Sequence, residues 1–205
     1  MNIILENIGK RFNTEWIFRR LNYSFETGKR YAITGSNGSG KSTLLQIISG
    51  SGTHNEGKIN FLENQQPILP ENIYSKISLA APYIELIEEM TLKEFITFHG
   101  KMKGWVKNFT CEEIIKTIHL SNATNKQIRY FSSGMKQRVK LGQAIFSNTP
   151  VILLDEPLTN LDEEGISLYH SLIYGYCTNR TVIVSSNDKK EYSFSDEILN
   201  IQNYK

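Results

Sequence analysis

With 205 residues and 40% hydrophobic content, the chain carries enough apolar material for the core of one ample domain, with at most a small appended subdomain. Its 23 Lys and Arg nearly balance 21 Asp and Glu, which excludes a general electrostatic footprint for nucleic acid or an anionic membrane. Only Cys111 and Cys177 occur, far apart and without further ligands nearby, so neither a disulfide framework nor a zinc site is indicated, and the thiols fit a reducing compartment.

The N-terminal run MNIILENIGKRF places charges where a signal peptide needs an apolar stretch, and no segment approaches ~20 uninterrupted apolar residues. The expectation is a soluble protein whose membrane contact belongs to a partner. Short apolar, β-branched or aromatic runs predict strands at Ile3 to Leu5, Tyr23 to Phe25, Tyr31 to Thr34, Lys58 to Phe61 and Ile77 to Leu79. Three more follow at Val151 to Leu154, Thr181 to Ser185 and Ile198 to Ile201. Val151 to Leu154 and Val182 to Val184 are apolar at consecutive positions, as strands buried on both faces of a helix-covered, partly parallel sheet tend to be. Between Pro82 and Pro150 the pattern turns helical: Leu92, Phe95, Ile96, His99 and Met102 follow one-face spacing, and Thr110 with Glu113 forms a capping box ahead of Ile114, Ile115 and Ile118. No repeat, low-complexity tract or Pro/Gly-rich linker separates this helical insertion from the rest.

Gly35-Ser36-Asn37-Gly38-Ser39-Gly40-Lys41-Ser42-Thr43 follows one predicted strand and opens the apolar helix of Leu44, Leu45, Ile47 and Ile48, which is the context GxxxxGK[ST] requires. Its glycines let backbone N–H groups converge on phosphate oxygens, and the helix N-terminus adds positive potential. Lys41 then reaches the β and γ phosphates of ATP, and the Ser42 hydroxyl ligates Mg²⁺. A second half of the metal site is expected at the end of another buried strand, where Asp155 would hold Mg²⁺. Glu156, one residue on, is placed to act as general base on the attacking water.

Shortly before that strand, Phe131-Ser132-Ser133-Gly134-Met135-Lys136-Gln137-Arg138 resembles the ABC signature LSGGQ and its helix, with Ser133 at the first glycine and Met135 at the glutamine. After Glu156, Pro157-Leu158-Thr159-Asn160-Leu161-Asp162 is similar to the family's D-loop. The resemblance runs through nearly the whole chain. It implies an α/β P-loop NTPase with a mixed, partly parallel sheet, an antiparallel β portion near the N-terminus and an inserted α-helical subdomain. In this reading residues 1–205 form a single ABC ATPase domain, with residues 1–81 and 150–205 as the sheet core and 82–149 as the helical subdomain.

The resemblance also implies that Ser132, Ser133, Gly134 and Asp162 serve the ATP held by an opposite subunit, so that one chain makes only half-sites. It implies that Phe12 stacks on adenine, with Trp16 as runner-up, and that ATP is hydrolysed with Mg²⁺. The partners implied are a second ATPase subunit, as homodimer or heterodimer, and a separate transmembrane permease at the cytoplasmic face of the membrane, with no nucleic acid. The brevity of the chain resembles small exporter-type subunits of the haem-export and ABC-2 groups.

Two positions depart from the family pattern. The Q-loop glutamine falls at Pro82, which has no side-chain oxygen, although Glu85, Glu88 and Glu89 stand nearby. The switch histidine falls at Asn187, whose amide donates a hydrogen bond but carries neither proton nor charge to the reaction. Hydrolysis is therefore expected to be intact in design but slow or partner-dependent. Tyr83 to Ile87 lies where family members receive a helix of the membrane subunit, and Ile84, Leu86 and Ile87 serve either that contact or the core. The alternatives are a weakly hydrolysing regulatory subunit, a soluble non-transport ABC ATPase and a small-molecule P-loop kinase. The last leaves the signature and D-loop segments without a purpose.

Overall fold

The computed structural model describes residues 1–205. Alternating burial in the first segment builds a long hairpin from β1 (Asn2–Phe12) and β2 (Glu15–Phe25), with Ile3, Leu5 and Ile8 turned inward. The inward phase slips between Leu5 and Ile8, where Asn7 sits at φ 51°, so a bulge resets which side chains face the core. Then come β3 (Arg30–Thr34), α1 (Lys41–Ser49), β4 (Glu56–Glu63), β5 (Gln66–Pro67), α2 (Ile73–Lys76) and β6 (Ile77–Ala80). The remaining elements are α3 (Leu92–Lys103), α4 (Cys111–Thr117), α5 (Ser133–Phe146), β7 (Val151–Asp155), α6 (Glu163–Tyr176), β8 (Thr181–Ser185), α7 (Lys189–Tyr192) and β9 (Glu197–Asn200).

These elements divide into two compact units. One comprises Met1–Leu79, Pro150–Asp155 and Asn179–Lys205; the other comprises Ala80–Thr149 and Glu156–Thr178. The sheet core was expected to include all of 150–205, yet Glu156–Thr178 groups with the helical segment. The reason is local packing: α6 lies on α5, and the Gln137 amide donates to the Pro157 carbonyl at 2.8 Å.

The first unit holds an antiparallel sheet of order β2–β1–β4–β5 and a five-stranded sheet of order β6–β7–β8–β3–β9. In the latter β7, β8, β3 and β9 run parallel, with Asp155 in register beside Ser185. Every residue from Val151 to Leu154 and from Val182 to Val184 is fully buried, as their uninterrupted apolar sequence predicts. Leu44, Leu45 and Ile48 of α1 are buried in the same cluster, each side chain contributing about 1.5–3 kcal/mol of burial free energy. The expected strand from Ile198 to Ile201 ends at Asn200, and Ile201 opens a short 3₁₀ turn.

In the second unit both α3 and α4 begin with reciprocal capping boxes, Thr91 with Glu94 and Thr110 with Glu113. Leu92, Phe95 and Ile96 are buried, but Met102, on nearly the same face as Phe95, is 60% exposed in the last turn, next to the end of the helix at Lys103. His99 stacks against Trp105 with ring centroids 5.4 Å apart, and its Nε2 lies 2.9 Å from the Ser147 hydroxyl. Ser147 Oγ donates to the Gln143 carbonyl at 2.5 Å, so the histidine ring is the donor to Ser147. Burial, with the nearby Lys103 charge, lowers the His99 pKa to about 4.

Candidate functional site

In the first unit the chain leaves β3 at Thr34 and turns back into α1 through the glycine-rich loop. Gly40, at φ 100°, caps α1 in a conformation that suits glycine, and a Cβ there would come within 2.4 Å of Ile17 Cγ2. Ser39 N donates to Ser36 O at 3.1 Å and Leu44 N to Gly40 O at 2.9 Å, closing the loop onto the helix. Lys41 is only 5% exposed. Its ammonium donates to the carbonyls of Gly35 at 2.9 Å and Ser36 at 3.2 Å and makes no ion pair. A buried cation held by neutral carbonyls at a helix N-terminus is a site prepared for an anion.

Asp155, at the C-terminal end of β7, is 2% exposed. Burial raises its pKa, countered by the hydroxyls of Ser42 and Ser185 and by the Lys41 charge. Even so, its Oδ1 has no hydrogen-bond partner, and neither has the Ser185 hydroxyl. Glu156 follows with φ 43°, outside the region a glutamate prefers, and its carbonyl accepts from Thr159 N at 3.1 Å. Asn187 donates through Nδ2 to Asn37 Oδ1 at 3.1 Å, which brings the switch position against the phosphate loop. Gln202 Nε2 donates to Ser36 Oγ at 3.3 Å, a contact the sequence did not announce because it spans most of the chain.

Phe12 ends β1 at the hairpin tip, 55% exposed, with the Lys10 ammonium 5.0 Å from the ring centroid. Ile17 and Phe18, on the returning strand, pack at Gly40, so this hairpin flanks the loop. Trp16 is already covered: the Arg19 guanidinium lies 4.4 Å and that of Arg11 5.5 Å from its ring. The geometry therefore favours Phe12 as the exposed aromatic face.

In the second unit Ser132 is the N-cap of α5, accepting from Met135 N at 3.2 Å. Gly134 is required by close approach, since a Cβ would sit 2.9 Å from the Asn160 carbonyl. Asp162 caps α6 by accepting from Gly165 N at 2.8 Å. That bond and the Arg138 guanidinium lower its pKa. Arg138 pairs with both Asp162 and Glu164 at 3.2 Å, tying the D-loop segment to the signature helix. Ser132, Ser133, Gly134, Asn160 and Asp162 line one surface recess of about 520 Å³.

At the Q-loop position, the Pro82 carbonyl accepts from Lys140 Nζ at 2.9 Å. Glu88 pairs with Lys136, and Glu89 pairs with Arg129 at 3.7 Å. Leu86 is buried while Tyr83 and Ile87 are 42% and 40% exposed, so the segment divides between packing and surface.

A glycine-rich loop between a buried parallel strand and a helix, with a buried aspartate beside its lysine, defines a P-loop nucleoside triphosphatase. Residues 18–159 match the family model described as ABC transporter. Similar proteins include the cytochrome c biogenesis ATP-binding export protein CcmA of Reclinomonas americana, 32% identical over 192 residues that cover 90% of this chain and 84% of that protein. Another is the linearmycin resistance ATP-binding protein LnrL of Bacillus subtilis (strain 168), 28% identical over 193 residues covering 92% of this chain and 62% of that protein. A solved dimeric ATP-binding cassette in a post-hydrolysis state, bound to ADP and Pi, has a TM-score of 0.80 at 22% identity and covers 97% of this chain and 94% of that one. The structure of an ATP-binding subunit of an ABC transporter has a TM-score of 0.82 at 21% identity, over 98% and 86% of the two chains. The chain belongs to the ABC transporter family, as an ATP-binding and ATP-hydrolysing subunit. No helix is long and apolar enough to cross a membrane.

The donors present suit the family's magnesium. No cluster of three His, Cys, Asp or Glu side chains occurs. A metal here would instead rest on a hydroxyl, one carboxylate and substrate phosphates, the hard-oxygen set Mg²⁺ prefers. The orphaned Asp155 Oδ1 is the observation that fits it.

Proposed function

We propose that Gly35 to Thr43 hold the triphosphate of ATP, that Ser42 and Asp155 hold Mg²⁺, and that Glu156 is the general base. The observation that carries this reading is Lys41, buried at 5% exposure with only carbonyl partners. Backbone N–H groups of the loop bind the β and γ phosphates, and the Lys41 ammonium neutralises charge as the γ-phosphoryl group departs. Magnesium held by Ser42 and Asp155 would supply positive charge against the phosphates. Glu156 accepts a proton from the attacking water, its carboxylate following directly on the buried strand end that supports it. Phe12 supplies a ring face for adenine.

Ser132, Ser133, Gly134 and Asp162 gather at a helix N-terminus in the second unit, which supports their serving ATP on an opposing subunit. In this reading two copies, or one copy and a related chain, close around ATP and drive export through a separate membrane permease. Replacing Glu156 by Gln tests the base. Turnover should fall on the order of 10²-fold with ATP affinity retained, whereas unchanged turnover removes Glu156 from the role.

A second reading, slow hydrolysis released by a partner, rests on two observations. Asn187 touches Asn37 without an imidazole to offer, and the Pro82 carbonyl is occupied by Lys140. Steady-state turnover of the isolated chain decides it. A rate on the order of 1 s⁻¹ or more, unchanged in Asn187→Ala, contradicts this reading.

A further inference from the structure

Ser185 closes β8 with its hydroxyl fully buried and without any hydrogen-bond partner. It is in parallel register with Asp155, so the two side chains project from the same face of adjacent strands. Asp155 Oδ1, the neighbouring carboxylate oxygen, is also buried and unpartnered. A buried polar atom left unsatisfied is destabilising, and an unpartnered hydroxyl and carboxylate oxygen on neighbouring strands indicate a shared polar partner that completes both. Alanine or valine at position 185 would continue the apolar run of Val182 to Val184 without that cost.

We propose that Ser185 is a positioning residue for the metal: its hydroxyl bonds a water of the Mg²⁺ shell and orients Asp155 toward it. The hydroxyl both donates and accepts, so it can hold a metal-bound water, whose protons point outward, while donating to Asp155 Oδ1. The hydroxyls of Ser42 from α1 and Ser185 from β8 both lie near enough to the carboxylate to favour its charged form, although neither bonds Oδ1. The role resembles that of outer ligands elsewhere, whose removal lowers metal affinity about 10–100-fold.

This inference rests on the magnesium site proposed above, and the experiment separates the two. Binding of ATP to the full chain is titrated in EDTA and in Mg²⁺, and Mn²⁺ uptake with ATP present is followed by electron paramagnetic resonance. Wild type should take up Mn²⁺ only with ATP; no uptake at all overturns the metal site itself. Ser185→Ala should bind ATP in EDTA within about twofold of wild type, yet bind Mn²⁺ about tenfold more weakly and need correspondingly more Mg²⁺ for half-maximal turnover. Ser185→Thr, which keeps the hydroxyl, should recover most of this. Wild-type Mn²⁺ affinity in Ser185→Ala overturns the proposal, as does an equal loss of ATP binding in EDTA, because a purely structural hydroxyl alters melting without separating metal from nucleotide.

Discussion

The two compact units treat charge in opposite ways. In the sheet unit the charged groups of the site are buried and undersatisfied: Lys41 has no anion and Asp155 Oδ1 no donor. In the helical unit the acids are exposed and already paired, Asp162 and Glu164 with a largely covered Arg138, and Glu88 with Lys136. Burying an unpaired charge is expensive, so a chain keeps one only where a ligand completes it. Surface pairs contribute little stability and serve instead to hold loop geometry. The contrast supports the proposed division, in which the first set grips ATP and magnesium and the second serves a ligand that arrives on another molecule.

Substitutions break the contrast where it is strongest. Lys41→Ala should lower turnover by 10²-fold or more, on the order of what loss of one electrostatic contact to a reacting group costs. A pre-steady-state and steady-state phosphate-release assay checks this. Retained turnover would show that the buried cation does not meet the phosphates. Gly134→Ala is the helical unit's counterpart. Its Cβ would press on the Asn160 carbonyl 2.9 Å away, so the α5 N-terminus shifts and turnover drops by about tenfold or more while urea-denaturation midpoints change little.

A pH series probes the helical unit apart from ATP. His99 is neutral in the folded state, with its pKa lowered to about 4, whereas the unfolded chain binds that proton near pH 6.5. The unfolded state therefore binds more protons between these values, so this contribution is present above pH 6.5 and is lost as pH falls toward 4. Unfolding free energy should fall by about 2 kcal/mol between pH 7 and pH 5, and His99→Gln should flatten that slope. An unaltered slope in the variant would assign the effect elsewhere. The smallest effect is expected at Asp162→Asn, which should leave the melting temperature nearly unchanged because the Asp162 side chain is itself exposed and Asn keeps the cap on α6.

The contrast also explains what was legible in the sequence. The phosphate loop is contiguous, and its glycines and lysine sit at fixed spacing because the backbone must wrap one anion. Val151 to Asp155 reads as a buried strand because every side chain on it is apolar until the acid. Ser185 carried no such signal, since a lone hydroxyl at a strand end looks like a boundary. Its meaning comes from parallel register with Asp155, a pairing that spans 30 residues and that local periodicity does not encode. Met102 shows the converse: the spacing puts it on the face of Phe95, yet in the last turn of α3 it is exposed, since periodicity gives the face of a helix but not where its packing partner ends. The placement of Glu156–Thr178 depended on α6 packing against α5 and on Arg138 reaching Asp162, contacts that no motif records.

The most direct test of the central claim, that the exposed, paired surface of the helical unit completes the ATP site of a second copy, is size-exclusion chromatography of Glu156→Gln with ATP and Mg²⁺. The account predicts elution as a dimer that reverts to monomer when Ser132 and Gly134 are also replaced. A monomer under saturating ATP and Mg²⁺ would contradict it.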